Sequence, residues 1–227
     1  MIGCTNLLLR TASVDSSRPI EASGGLHYAG NHGPVIVWSV TKKCNLACSH
    51  CYIDAAAAAA SDELNTDEAH KLIDDAATLH PPVMLFSGGE PLIRRDTVEL
   101  CAYAVSKGLR IGLSTNGTLI TQDYARRIAE AGVSYVGVSI DGVEATHDRF
   151  RNERGSFRKA LEGLKNAKDA GIKTGIRFTV NRHNAPTCLQ LPIFLLGTRS
   201  PAFAYIISCT QGGQAPRWIS PTRSELR

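Results

Sequence analysis

Short apolar, β-branched runs alternate with helix-period segments along most of this chain, and a polar or glycine-rich turn follows almost every run. Val35-Ile36-Val37-Trp38-Ser39-Val40 opens the series as a run typical of a strand buried on both faces. Ala69, Leu72, Ile73, Ala76 and Leu79 then recur at helical spacing. Thr66 is the expected cap of that helix, Asp67 and Glu68 fill its first turn, and Pro81-Pro82 stops it. Val83 to Ser87 is the second strand. Asp96 and Glu99 form a capping-box-like start for a helix that runs through Lys107 and ends at Gly108. Leu109 to Ser114 is the third strand, followed by a helix from Thr121 to Gly132. Ser134 to Ile140 is the fourth, followed by a helix from Ser156 to Gly171, and Gly175 to Val180 is the fifth.

Five strands separated by four helices predict parallel βαβ units with right-handed crossovers, an α/β fold with helices outside the strands. Ala202 to Ile207 is a candidate sixth strand. The expected organisation is an extension over residues 1–33, a core over 34–184 and an irregular remainder over 185–227, where Leu191-Pro192 and Ser200-Pro201 break the pattern. The alanine run from Ala55 to Ala60 receives no function.

Composition narrows the function classes. The chain has 227 residues, a 43% hydrophobic fraction and a formal charge of +4, which fits one globular domain. No Lys/Arg run or aromatic-basic interleaving points to nucleic acid. No apolar stretch reaches the roughly 18 residues needed to cross a bilayer, so no membrane span is expected. Met1 to Arg10 makes a poor signal peptide. Seven cysteines, an odd number with three tightly clustered, fit metal binding in a reducing compartment better than a disulfide framework, and the expected location is cytoplasmic. Cys101 falls on an apolar helix face and reads as a small buried hydrophobe.

The clustered cysteines are Cys44, Cys48 and Cys51, spaced C-x3-C-x2-C directly after the first strand. Three thiolates can hold three irons of a four-iron cluster and leave the fourth open to a substrate or cofactor. The alternative is structural zinc, which prefers four ligands. His50 sits too close between Cys48 and Cys51 to ligate the same metal easily, and no second C-x2-C pair is present. Three further motifs follow later strands: Gly88-Gly89-Glu90-Pro91, Ser114-Thr115-Asn116-Gly117 and Ser139-Ile140-Asp141-Gly142. Singly they read as a turn and two strand ends. Function in parallel α/β folds gathers at the C-terminal ends of strands, and all four motifs fall there. Arg151 would ordinarily be a solvated charge, and His147 and His183 read as loop histidines rather than acids or ligands.

Together these motifs resemble the radical S-adenosylmethionine (SAM) superfamily, from about Gly33 to Asn184. The resemblance implies a partial (βα)6-type TIM barrel. It implies a [4Fe-4S] cluster on Cys44, Cys48 and Cys51, with Tyr52 as the aromatic beside it, and SAM on the open iron. One electron from the cluster breaks the S–C5′ bond, and the 5′-deoxyadenosyl radical abstracts hydrogen from a substrate. In this reading Gly88 and Gly89 allow close backbone approach, and Glu90 accepts from the cofactor ammonium. Ser114 and Asn116 contact the cofactor from the rim. Ser139 touches its ribose or carboxylate, Asp141 organises its loop, and Arg151 pairs with the carboxylate. Arg177 and Asn181 are further candidates, Arg177 with a purely structural alternative. No residue is assigned as acid or base.

Wider stretches, among them Phe86-Ser87-Gly88-Gly89-Glu90-Pro91-Leu92 and His147-Asp148-Arg149-Phe150-Arg151, resemble the enzymes of haem d1 synthesis and of the siroheme-dependent alternative haem pathway. Met1-Ile2-Gly3 is similar to the opening of that pathway's 12,18-didecarboxysiroheme deacetylases. This branch implies loss of a side chain from a siroheme-derived tetrapyrrole, with an electron donor such as ferredoxin or flavodoxin. Its enzymes run longer and carry cysteines for an auxiliary cluster, so a truncated or frame-shifted C-terminal part is expected here. The alternatives are a radical enzyme that modifies peptides and an inactive iron-sulfur remnant.

Overall fold

The computed structural model describes residues 33–51, 53, 55, 62–180, 184–187 and 203–206. Most of the expected extension and irregular remainder, and all of the alanine run beyond Ala55, therefore lie outside the described residues. Six parallel strands form one sheet in sequence order: β1 (Ile36–Ser39), β2 (Met84–Ser87), β3 (Ile111–Thr115), β4 (Tyr135–Ser139), β5 (Lys173–Thr179) and β6 (Phe203–Ile206). Among the described residues five helices lie between them: α1 (Thr66–Thr78), α2 (Thr97–Ser106), α3 (Gln122–Glu130), α4 (Ala145–Arg151) and α5 (Ser156–Asp169). This is the expected α/β architecture, a partial barrel whose strand order never reverses. The candidate sixth strand is present.

The core lies between sheet and helices. Phe86, Leu113, Val136, Val138, Ile176 and Phe178 share the helix-covered face and pack with Ile73, Leu100, Ile128, Phe157 and Leu164. Each fully buried side chain of this size contributes roughly 2–3 kcal/mol. The opposite face carries Val37, Gly112, Tyr135, Gly137, Gly175 and Arg177, and no described helix covers it. The expectation that the first strand is buried on both faces is thus corrected. Trp38 packs edge-on against Phe86, but Val37 is 59% exposed on the uncovered face of an edge strand.

Several boundaries move for local reasons. Asn65 caps α1, not Thr66: its side chain accepts from Glu68 N, and the Glu68 carboxylate accepts from Asn65 N. Thr66 donates to Asp96 instead. Asp96 makes no cap bond to α2, because its carboxylate is occupied by Thr66 and by Arg94 at 2.7 and 2.9 Å. Thr121, expected as the first residue of its helix, caps α3 through its side chain. Ser156 is the first residue of α5, and the helix is capped from a distance by Asp148 in α4. That carboxylate accepts from Gly155 N, Ser156 Oγ and Phe157 N at 2.6, 3.0 and 2.8 Å. We expect Asp148→Ala to lower the unfolding free energy by about 1–2 kcal/mol, read as a drop in urea midpoint at constant m-value. An unchanged midpoint would refute the remote cap.

Candidate active site at the strand rim

The cysteine loop is held at the rim by main-chain pairing that continues β1 and β2 beyond the sheet. Val40 N donates to Ser87 O, Gly89 N to Thr41 O and Glu90 N to Lys43 O, all at 2.8–2.9 Å. The pairing requires glycine. A Cβ on Gly88 would collide with the Thr41 carbonyl, and one on Gly89 with the carbonyls of Lys42 and Lys43. Gly88 also has φ +134°, which favours glycine. The two glycines therefore set the distance between cysteine loop and sheet.

Glu90 lies between this loop and the next strand and is wholly buried. Oε1 accepts from Leu92 N at 3.1 Å and from Thr115 Oγ1 at 2.8 Å, and Oε2 accepts from Asn116 N at 2.8 Å. Burial pushes its carboxyl up, against those hydrogen bonds and the Arg151 charge. The carboxylate thus fastens the tip of β2 to that of β3. Oε2 keeps one acceptor direction. Asn116 extends the link, donating through Nδ2 to Asn45 Oδ1 in the cysteine loop at 2.9 Å, while Asn45 donates to Thr118 Oγ1 at 2.9 Å.

Cys44, Cys48 and Cys51 are all free, partly exposed thiols. Leu46 N donates to Cys44 Sγ at 3.4 Å and Ala55 N to Cys51 Sγ at 3.2 Å. Burial pushes the Cys44 and Cys48 thiols up, and Arg151 opposes it at Cys48. Among the described residues no three His, Cys, Asp or Glu side chains converge to hold a single metal ion. A four-iron cluster takes its thiolates at separate corners and needs no such convergence, so the donor set fits it.

Charged groups close the other side of the loop. Arg151 Nη1 lies 3.6 Å from Cys48 Sγ, and Arg151 Nε lies 2.6 Å from Asp141 Oδ2, an ion pair not aligned as a hydrogen bond. His50 Nε2 lies 3.4 Å from Asp141 Oδ1, and its ring meets Phe150 edge-on. Ser49 N donates to Phe150 O at 2.9 Å, which fixes the loop to the end of α4. Asp141 is 1% exposed and Arg151 9%. Burial pushes the Asp141 carboxyl up, but His50 and Arg151 outweigh it and hold it below the ordinary carboxylate range.

The rim thus brings together Cys44, Cys48, Cys51, Gly88, Gly89, Glu90, Asn116, Asp141 and Arg151 from the expected set. Ser114 and Ser139 stand half-buried at the ends of β3 and β4, and Ser114 accepts from Arg177. Tyr52, Asn181 and His183 lie outside the described residues. Asn45, His50 and Thr115 were not singled out as site residues, although each lies within or beside a motif that was.

His147 corrects another expectation. It is not a loop histidine but a helical one, 1% exposed, whose Nδ1 accepts from Asp141 N at 3.1 Å. Desolvation and the Arg151 charge lower its pKa from 6.5 to about 4. The unfolded chain therefore binds the extra proton first. The stability contributed by neutral His147 is complete above pH 6.5 and is lost as pH falls toward 4, about 3 kcal/mol in all. We expect His147→Gln to flatten the fall in stability across that window, measured by urea unfolding at stepped pH; identical slopes would refute it. Gly89→Ala should cost about 3 kcal/mol in the same assay, because main chain cannot yield as a side-chain tip can. A loss under 0.5 kcal/mol, the ordinary surface range, would show that the loop packs otherwise.

Residues 38–184 match the Radical SAM superfamily. Fe-coproporphyrin III synthase of Methanosarcina barkeri is 50% identical over 70% of this chain and 40% of its own length. AdoMet-dependent heme synthase of Nitratidesulfovibrio vulgaris is 45% identical over 76% of this chain and 47% of its own. Pre-heme d1 synthase of Dinoroseobacter shibae is 41% identical over 73% and 40%. The chain therefore spans less than half the length of these relatives. Among solved structures, Streptococcus suis SuiB bound to S-adenosylmethionine superposes with a TM-score of 0.67 at 15% identity, over 80% of this chain and 42% of that one, which shows the shared fold. A match covering both the strand series and the cysteine loop settles the family, and the chain belongs to the Radical SAM superfamily.

Proposed function

We propose that this chain is the cluster- and cofactor-binding part of a radical SAM enzyme that removes side chains from a siroheme-derived tetrapyrrole in haem or haem d1 biosynthesis. The observation that carries the reading is the cysteine loop itself. Three free thiols sit at the rim, backed by Gly88-Gly89 on one side and by Arg151 and Asp141 on the other.

Cys44, Cys48 and Cys51 hold the [4Fe-4S] cluster, and Tyr52 is the next residue in the sequence after the last of them. Bound there, cluster and SAM supply one-electron, hydrogen-abstracting chemistry. Glu90 offers its remaining acceptor direction to the cofactor ammonium, and Arg151 offers its guanidinium to the carboxylate. Gly88 and Gly89 hold the cysteine loop close to the sheet, and Ser114, Asn116 and Ser139 contact the cofactor from the same rim. A ferredoxin or flavodoxin supplies the electron, and a reducing cytoplasm keeps the thiols free. Among the described residues no helix is long and apolar enough to cross a membrane.

The relatives named for haem, coproporphyrin and pre-haem d1 synthesis support a tetrapyrrole substrate. So does the uncovered sheet face. The Tyr135 ring lies across Gly137 and Gly175, where a Cβ on either glycine would meet it. Arg177 extends over Gly137 beside it. An aromatic ring beside an arginine suits a flat macrocycle bearing carboxylates.

Anaerobic reconstitution should give about four irons and four sulfides per chain, and Cys48→Ala should lose that stoichiometry. Retained four-iron content in the variant would overturn the ligand assignment. Reduction with SAM should yield 5′-deoxyadenosine, and incubation with 12,18-didecarboxysiroheme should yield a product lighter by the lost side chain. A full cluster without cofactor cleavage would sink the enzymatic reading. Arg177→Met should weaken tetrapyrrole binding about tenfold in an absorbance titration, and unchanged affinity would remove Arg177 from substrate recognition.

A further inference from the structure

Arg151 touches a cluster ligand while paired with a buried acid, an arrangement that holding a cofactor carboxylate does not require. Its Nη1 is 3.6 Å from Cys48 Sγ, and its Nε is 2.6 Å from Asp141 Oδ2. Two of the three guanidinium nitrogens are thus engaged within the protein. Asp141 is held on several sides. Its N–H donates to His147 Nδ1 at 3.1 Å, its carbonyl accepts from Asn184 Nδ2 at 3.1 Å, and its Oδ1 lies 3.4 Å from His50 Nε2. His50 belongs to the cysteine loop, so the acid is tied to the segment that carries Cys48. With its main chain held by His147 and Asn184 and its carboxylate beside His50, Asp141 offers the arginine a placed partner.

We propose that Arg151 and Asp141 form an opposed charge pair that sets the reduction potential of the cluster through Cys48, with Asp141 as the positioning residue and His50 as its support. The inference rests on the reading that Cys48 is a cluster ligand. Hydrogen bonds to ligand sulfur and fixed charges nearby are the protein's main means of tuning such a cluster. The reduced cluster carries one more negative charge than the oxidised one. A guanidinium, always protonated, stabilises it and raises the potential, while the Asp141 carboxylate opposes that effect. Both groups are buried, so solvent screens them little. The pair holds a cation against the sulfur at little net charge, and each member pulls the potential its own way.

The test is a potentiometric titration of the anaerobically reconstituted protein without SAM, followed by electron paramagnetic resonance. Arg151→Met should shift the potential negative, Arg151→Lys should leave it near wild type, and Asp141→Asn should shift it positive. The Arg151→Met, Asp141→Asn double variant should fall between the single variants. A merely loop-organising pair would move both single variants the same way or neither, and either result overturns the inference. If Asp141→Asn does not assemble a cluster, the arginine series decides: equal potentials for Arg151→Met and Arg151→Lys overturn it, and a negative shift confined to Met supports it. A wild-type chain that takes up no iron overturns the cluster reading and this inference together. Full iron content with unmoved potentials overturns this inference alone.

Discussion

The approach of Gly88-Gly89 to Thr41, Lys42 and Lys43 governs the rest of the site. It is a contact between main chains, with no side chain to yield, so the separation of cysteine loop and sheet is fixed by covalent geometry. Every later interaction takes that separation as given. Glu90 follows the glycines directly and so enters the sheet rim buried, where its oxygens accept from the main chain of Leu92 and Asn116 and the hydroxyl of Thr115. The loop then meets α4 through Ser49 and Phe150, which puts Cys48 within reach of Arg151.

A buried carboxylate and a buried guanidinium are poor stabilisers. Desolvation opposes their attraction, and an apolar pair of the same shape often does as well. Asp141 and Arg151 together with Glu90 therefore make little sense as fold stabilisers, and their cost has to be met by the apolar core beneath the helices. The distribution of hydrogen bonds fits this. Glu90 is satisfied by fixed donors, and the Asp141 backbone by His147 and Asn184, so the polar groups are oriented before any ligand arrives. His147 serves this arrangement by staying neutral; a proton on Nδ1 would face the Asp141 N–H.

The strands and the placement of motifs were legible in the sequence because both depend on local pattern. Phe86, Leu113 and Val138 lie in runs that can only be strands, and each chemical motif follows such a run. The glycine pair was legible for the same reason. Helix α4 was not, since its seven residues give too few turns for a hydrophobic period to show. The Asp148 cap was missed with it, because the donors lie beyond an intervening turn. His50 was set aside as a poor metal ligand, and nothing in the local sequence pairs it with Asp141. That contact exists only once β4 brings its tip beside the cysteine loop. Side chains whose partners come from distant strands are beyond the reach of spacing arguments.

The two faces of the sheet differ for a reason that bears on function. On the covered face large apolar residues stand upright into the helices. On the other, Gly112, Gly137 and Gly175 occupy adjoining strands, and the side chains of Tyr135 and Arg177 lie down over two of them. A sheet face stabilised mainly by burial would carry branched residues there, as β-branched side chains fill a pleated surface best. Glycine weakens a strand and marks a place where something approaches its backbone closely. At this face the approaching groups are the Tyr135 ring and the methylene stem of Arg177, whose guanidinium donates to Ser114. The Arg177 guanidinium thereby reaches toward the rim, where Ser114 and Ser139 stand near the ends of their strands.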